Sequence, residues 1–224
     1  MGRAQLNKKD IYRWSKARIE LLQDICNLFE KYNVKYWVDA GTLLGLVRDG
    51  EIIHEDSDHD FCIKIEDIDD NFFQMIDEIN SDPKWDKVSD VISKKLRKEV
   101  EEGKVNLLKT MHRIQYKKEF ISGIHTKRIY SDLLILFPFD DFYFYKQNNE
   151  YVWRYKTEHI KEFKTINKYN CNIRIPKHVE DYLDIEFNYG WRVAQKFNAY
   201  KTNFWHRWDN YKNELPQDYN YVKE

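Results

Sequence analysis

Apolar side chains recur with helical spacing over residues 10–32, at Ile11, Trp14, Leu21, Leu22, Ile25, Leu28 and Phe29. This predicts an amphipathic N-terminal helix. Asn33 ends it, and a short strand is expected over 35–40, followed by a turn entering a short helix over 41–47. Asp49-Gly50 is a turn signal. Over residues 58–65 the pattern changes to alternation, with Phe61, Ile63 and Ile65 on one face, which predicts a strand. Residues 69–79 predict a second helix, ended by a turn at Asp82-Pro83, and 96–102 a further helical stretch. Strands are expected over 111–116 and 130–137; the second is almost wholly apolar, as suits a central strand covered on both faces. Residues 142–145 and 151–154 predict a hairpin around Gln147-Asn148-Asn149, and 176–188 begins as a capped helix. Helices and strands mix without regular βαβ alternation, so the expected fold class is α+β, a mixed β-sheet flanked by helices.

The length of 224 residues fits one domain over 1–224, with the helix 10–32 at its start and an aromatic and basic tail over 192–224. With 7 Trp, 16 Tyr and 13 Phe, the chain carries the residue types that disordered chains lack. The 37 basic and 38 acidic residues leave a net charge of -1, so bulk charge does not draw the chain to nucleic acid or an anionic membrane. Nucleic acid is not an expected partner. Cys26, Cys62 and Cys171 form no CxxC pair and are odd in number, which argues against a disulfide framework and a zinc cluster. The N-terminus has no apolar leader core and no apolar run approaches a membrane span. A cytoplasmic location in a reducing compartment is expected.

The stretch richest in chemistry is Asp56-Ser57-Asp58-His59-Asp60. On a strand, Asp58 and Asp60 project the same way, about 7 Å apart at Cα, and Asp56 joins them if the strand starts early. Carboxylates sharing a face repel one another and resist desolvation; a hard cation, Mg2+ or Mn2+, relieves both. A solvated acidic loop is the plain alternative, weakened by the core-like FCIKI that follows. An EF-hand loop is excluded, since Phe61 and Asp67 stand where Gly and Glu are needed. A glycosidase pair fits three acids less well. His59 alternates with the acids and is expected to face the other way, as a packed or hydrogen-bonded partner.

Upstream, Gly41-Thr42-Leu43-Leu44-Gly45 lies between the expected strand and helix. Glycine there lets a phosphate approach the backbone, and free N–H groups at a helix start attract anions; an ordinary turn with a Thr42 cap is the competing reading. Arg48 lies within reach of a phosphate or the acids. His112 is a possible pocket residue, an edge-strand position being the alternative, and Trp205 and Trp208 suit either a core or an acceptor groove.

Taken in order, these runs resemble one family. Tyr36-Trp37-Val38-Asp39-Ala40-Gly41-Thr42-Leu43-Leu44-Gly45-Leu46-Val47-Arg48, then Ile52-Ile53-His54-Glu55-Asp56-Ser57-Asp58-His59-Asp60, is similar to the signature of LicD/fukutin-type proteins. Asp132-Leu133-Leu134-Ile135-Leu136-Phe137 resembles the family's later metal-binding strand, and Ile175-Pro176 through Tyr182-Leu183 to Tyr189-Gly190-Trp191 its closing pattern. His54-Glu55 replaces a frequent Pro-Trp, and Gly190-Trp191 lacks a residue many members place between them. The resemblance implies a nucleotidyltransferase-like fold and transfer of a substituted phosphate, phosphocholine or alditol phosphate, from a CDP-linked donor to a sugar or glycan hydroxyl. It implies a metal site on Asp56, Asp58, Asp60 and Asp132, with Asp132 as ligand or proton acceptor. Gly41, Thr42, Gly45 and Arg48 would bind phosphate. Two rivals stay open: nucleotidyl transfer from a triphosphate to a small molecule, protein or RNA, and a non-catalytic nucleotide- or glycan-binding relative.

Overall fold

The computed structural model describes residues 8–54, 56–86, 90–106, 111–122, 125–146, 151–187, 190–194, 205–207 and 218–220. Helix α1 (Lys8–Lys31) realises the N-terminal periodicity: Trp14, Leu21, Leu22, Ile25, Leu28 and Phe29 are all buried. Strand β1 (Trp37–Asp39) follows and is buried throughout. It passes directly into α2 (Ala40–Arg48), with no loop between them. Ala40 makes the change of direction alone, at φ 48, a left-handed conformation that costs a non-glycine residue of the order of 1 kcal/mol. A return segment then leads to β2 (Asp60–Lys64), which starts two residues later than alternation predicts.

Helix α3 (Asp70–Ser81) is capped by the Asp69 carboxylate, which accepts from the Phe72 N–H at 3.1 Å. There follow β3 (Trp85–Asp86), α4 (Asp90–Glu101), β4 (Lys104–Asn106), β5 (Met111–Ser122) and β6 (His125–Phe139). After them come β7 (Phe142–Lys146), β8 (Tyr151–Lys156), β9 (Phe163–Lys168), β10 (Cys171–Pro176), α5 (Val179–Phe187), β11 (Trp205–Arg207) and β12 (Asp218–Asn220). The main sheet runs β1-β2-β6-β7-β8-β11, with β5 against β6 and β3 against β5. The β2–β6 pair is parallel and the other pairs are antiparallel, so the sheet is mixed and the fold α+β, as the pattern predicts. β6 is the central strand: residues 131–137 are buried without a break.

The β9–β10 hairpin has no counterpart in the sequence reading. Its first strand buries none of its side chains fully, so no hydrophobic alternation announces it. Its partner does alternate, with Cys171, Ile173 and Ile175 buried. Pro176 closes β10 rather than opening a helix, and α5 begins at Val179. The turn Gln147-Asn148-Asn149, Glu55, Tyr189, Trp208 and most of the tail 192–224 lie outside the described residues, as do the side chains of His112 and Trp205. No helix among the described residues is long and apolar enough to cross a membrane.

Gly45 shows how tightly the return segment lies on α2. A Cβ at this position would stand 2.7 Å from the Glu51 carbonyl oxygen and 2.8 Å from the Ile53 nitrogen, both backbone atoms. Gly45→Ala is therefore expected to destabilise the fold by about 1–3 kcal/mol through overpacking. A chemical denaturation midpoint measures this; an unchanged midpoint contradicts the packing described.

Candidate functional site

Sheet register assembles the acids. Asp39 pairs with Asp60 across the antiparallel β1–β2 ladder, and Asp60 pairs with Asp132 across the parallel β2–β6 ladder. Residues directly opposite one another on neighbouring strands share a face, so these three form one row at strand spacings of about 4.8 Å. Asp132 thus lies beside Asp60, and its N–H donates to the His59 carbonyl at 2.7 Å. Asp58 and Asp56 are in the segment leading to β2, half-buried, and both contribute to the field that acts on Asp60. Of the four acids singled out in the sequence, Asp60 and Asp132 are side by side, and Asp56 and Asp58 act on Asp60 from the return segment. Asp39 is a fifth that the sequence reading did not single out, although its alternation with Trp37 on the same strand is the signal for it.

Helix α1 holds in place the segment that carries Asp56 and Asp58. The Arg18 guanidinium donates to the carbonyls of Ile53 and Asp58, each at 2.7 Å, and the Trp14 indole donates to that of Asp56 at 3.2 Å. The Ser15 hydroxyl pairs with His54 Nδ1 at 2.8 Å. Hydrogen bonds to a charged donor contribute about 1.5–3 kcal/mol each, against 0–1 for an exposed ion pair, so Arg18 outweighs any surface contact here. Burial lowers the Arg18 pKa while Asp56, Asp58 and Asp60 oppose the shift. Sequence analysis missed Arg18, which occupies the charged gap between Trp14 and Leu21 in an otherwise apolar helical stripe.

A second set of contacts fixes Asp60. Its N–H donates to Thr42 Oγ1 at 3.2 Å, and that hydroxyl pairs with His59 Nδ1 at 3.4 Å. His59 Nε2 in turn meets the Arg18 carbonyl at 2.9 Å. A carbonyl only accepts, so Nε2 carries the proton and Nδ1 accepts from Thr42. Burial and the nearby Arg18 charge push the His59 pKa well down, consistent with this neutral tautomer. His59 is fully buried and faces away from the acids, as its place in the alternation implies.

Asp39 is held from α5 and β8. The Tyr182 and Tyr155 hydroxyls donate to its two oxygens at 2.5 and 2.7 Å, and the Cys62 thiol lies 3.5 Å from one of them. Burial still raises the Asp39 pKa against these hydrogen bonds. Burial raises that of Asp60 well above the usual range, and the fields of Asp58, Asp56, Asp132 and Asp39 add to it.

The glycine-rich turn contributes space. A Cβ on Gly41 would fall 2.3 Å from Asp56 Oδ2, so the first turn of α2 is the seat of the Asp56 carboxylate. An anion suits that place, because helix N-termini carry unpaired N–H groups and a partial positive charge. The Thr42 hydroxyl is engaged by Asp60 and His59, Gly45 lies against the return segment, and Arg48 forms a two-point pair with Asp49 at 2.8 and 2.6 Å. The acids offer only oxygen, which fits a hard cation such as Mg2+ or Mn2+. Among the described residues no three acidic, histidine or cysteine side chains close into a ready-made cage; the donors are spread along the row.

The raised acids set a sign for pH dependence. A carboxyl with a folded-state pKa above its unfolded value favours folding while protonated. Its contribution is complete below the ordinary carboxylate range, about pH 4, and is lost as pH rises through the folded-state value. In chelator, Asp60→Asn is therefore expected to match or trail wild type at low pH and to gain on it steadily toward neutrality. Melting temperatures of the two proteins across that range test this; a constant difference contradicts it.

The LicD/FKTN/FKRP nucleotidyltransferase-domain model matches residues 33–178, well over half of the chain. An uncharacterized protein of Rickettsia prowazekii (strain Madrid E) is 48% identical over 48 residues, covering 21% of this chain and 18% of that protein. An uncharacterized protein of Rickettsia typhi (strain ATCC VR-144 / Wilmington) is likewise 48% identical over 48 residues, which make up 16% of its length. The aligned stretch thus takes in less than a fifth of either relative. With the matched region running from the approach to β1 through β10, and so containing the entire acidic row, the chain belongs to the LicD/FKTN/FKRP family.

Proposed function

We propose that this protein is a metal-dependent phosphotransferase that moves a substituted phosphate, phosphocholine or an alditol phosphate, from a CDP-linked donor to a sugar or glycan hydroxyl. The observation that carries the reading is the row Asp39–Asp60–Asp132 with Asp56 seated on Gly41. Family membership supports it at the level of a transferase of phosphorus-containing groups acting in glycan modification.

Asp56, Asp58, Asp60 and Asp132 would hold Mg2+ or Mn2+. When bound, the cation supplies neutralisation of the donor diphosphate and of charge on the transferred phosphoryl oxygens. The chain's own contribution is positional. Arg18 and Trp14 hold the acidic segment, Thr42 and His59 fix the start of β2, and Gly45 keeps the return segment against α2. Gly41 and the start of α2 offer N–H groups to a phosphate oxygen beside the Asp56 carboxylate. Arg48 stands at the far end of α2 as a cation for a second phosphate oxygen, in exchange for its pair with Asp49. In the transfer, the acceptor oxygen bonds to phosphorus as the bond to the departing CMP breaks. The acceptor proton passes to a carboxylate of the centre, and Asp132 is the residue assigned to it.

The test is CMP release from CDP-linked donors with a sugar acceptor, in Mg2+ or Mn2+. Asp58→Ala and Asp60→Ala should each remove about 3 kcal/mol of transition-state stabilisation, lowering turnover about 100-fold or more. Wild-type turnover in both variants would remove the proposed centre. Pyrophosphate released from a nucleoside triphosphate, with no CMP from any CDP-linked donor, would replace the reaction with nucleotidyl transfer.

A further inference from the structure

Glu186, on the last turn of α5, is fully buried, and neither of its carboxyl oxygens has a hydrogen-bond partner. Asp39, buried to the same degree, is answered by two tyrosine hydroxyls. Tyr182 and Glu186 lie one helical turn apart, so they share a face of α5. The Tyr182 hydroxyl reaches Asp39 Oδ1, which places that face against the acidic row. Glu186 accordingly interacts electrostatically with Asp39, Asp60 and Cys62. If this position served packing alone, an apolar side chain would fill it without bringing two orphaned oxygens into the core.

We propose that Glu186 is a carboxylate of the cation centre, closing its inner side from α5 by accepting hydrogen bonds from water bound to the cation that Asp60 holds. The inference rests on the function proposed above and extends it to a residue outside the acidic motif. Carboxylates in this role orient the ligands and the bound water rather than touching the cation. Glu186 is thus a positioning residue, and its effect should appear in binding of the metal alone.

The experiment is titration of the full chain with Mn2+ by calorimetry, comparing wild type, Glu186→Gln, Glu186→Met and Asp60→Asn. Gln keeps the shape and removes the charge; Met fills the volume without polar oxygens. A cooperative melt in chelator identifies each variant as folded. Both Glu186 variants are expected to bind Mn2+ about 10–100-fold more weakly than wild type, the usual cost of losing such a partner. In chelator, Glu186→Met is expected to melt at or above the wild-type temperature. Wild-type Mn2+ affinity in either folded Glu186 variant, with binding lost in Asp60→Asn, overturns this inference alone. Absence of Mn2+ binding by wild type overturns the cation centre itself, and this inference with it.

Discussion

Mutual repulsion among carboxylates is the constraint around which this structure is organised. Asp39, Asp60 and Asp132 occupy one row of the sheet, Asp56 and Asp58 approach it from the return segment, and Glu186 faces it from α5. In this desolvated setting neighbouring acids add to burial in raising the pKa of Asp60 and of Glu186, and such repulsion needs a backbone that is restrained. The restraints come from behind. Arg18 grips two carbonyls of the return segment, His59 and Thr42 secure the N–H of Asp60, and two tyrosines enclose Asp39. Perturbed acids gathered and restrained in this way are a common mark of a functional site.

The two glycines of the GTLLG turn acquire distinct physical roles. Both stand where a side chain would meet other atoms, but the atoms differ. At Gly45 they are backbone, so the residue determines whether α2 and the return segment can touch. At Gly41 the nearest atom belongs to the Asp56 carboxylate, so an added methyl would displace a functional group while leaving the main chain in place. One glycine serves the fold and the other the site. The left-handed Ala40 between β1 and α2 belongs with them, since it lets the strand that carries Asp39 become the helix that carries both glycines.

Much of this was legible in the chain, and the gaps have physical causes. The helix α1 and the strands β2 and β6 announce themselves because burial imposes a period on the helix and apolar runs on strands covered on both faces. The acids of 56–60 and Asp132 were visible as a motif, and backbone register brings them together. Arg18, Asp39 and Glu186 were not picked out, because each is a charged residue inside an otherwise ordinary helix or strand and gains meaning only from what lies across the packing. The β9–β10 hairpin escaped notice because its first strand is solvated. Tertiary partners leave a fainter local trace than periodicity does.

The central claim is that carboxylates from β2 and β6 share one hard cation. The most direct measurement is anomalous scattering from crystals of the full chain grown with saturating Mn2+. The account requires a peak bounded by the carboxylates of Asp60 and Asp132. A peak elsewhere on the molecule, or none at all, would contradict it.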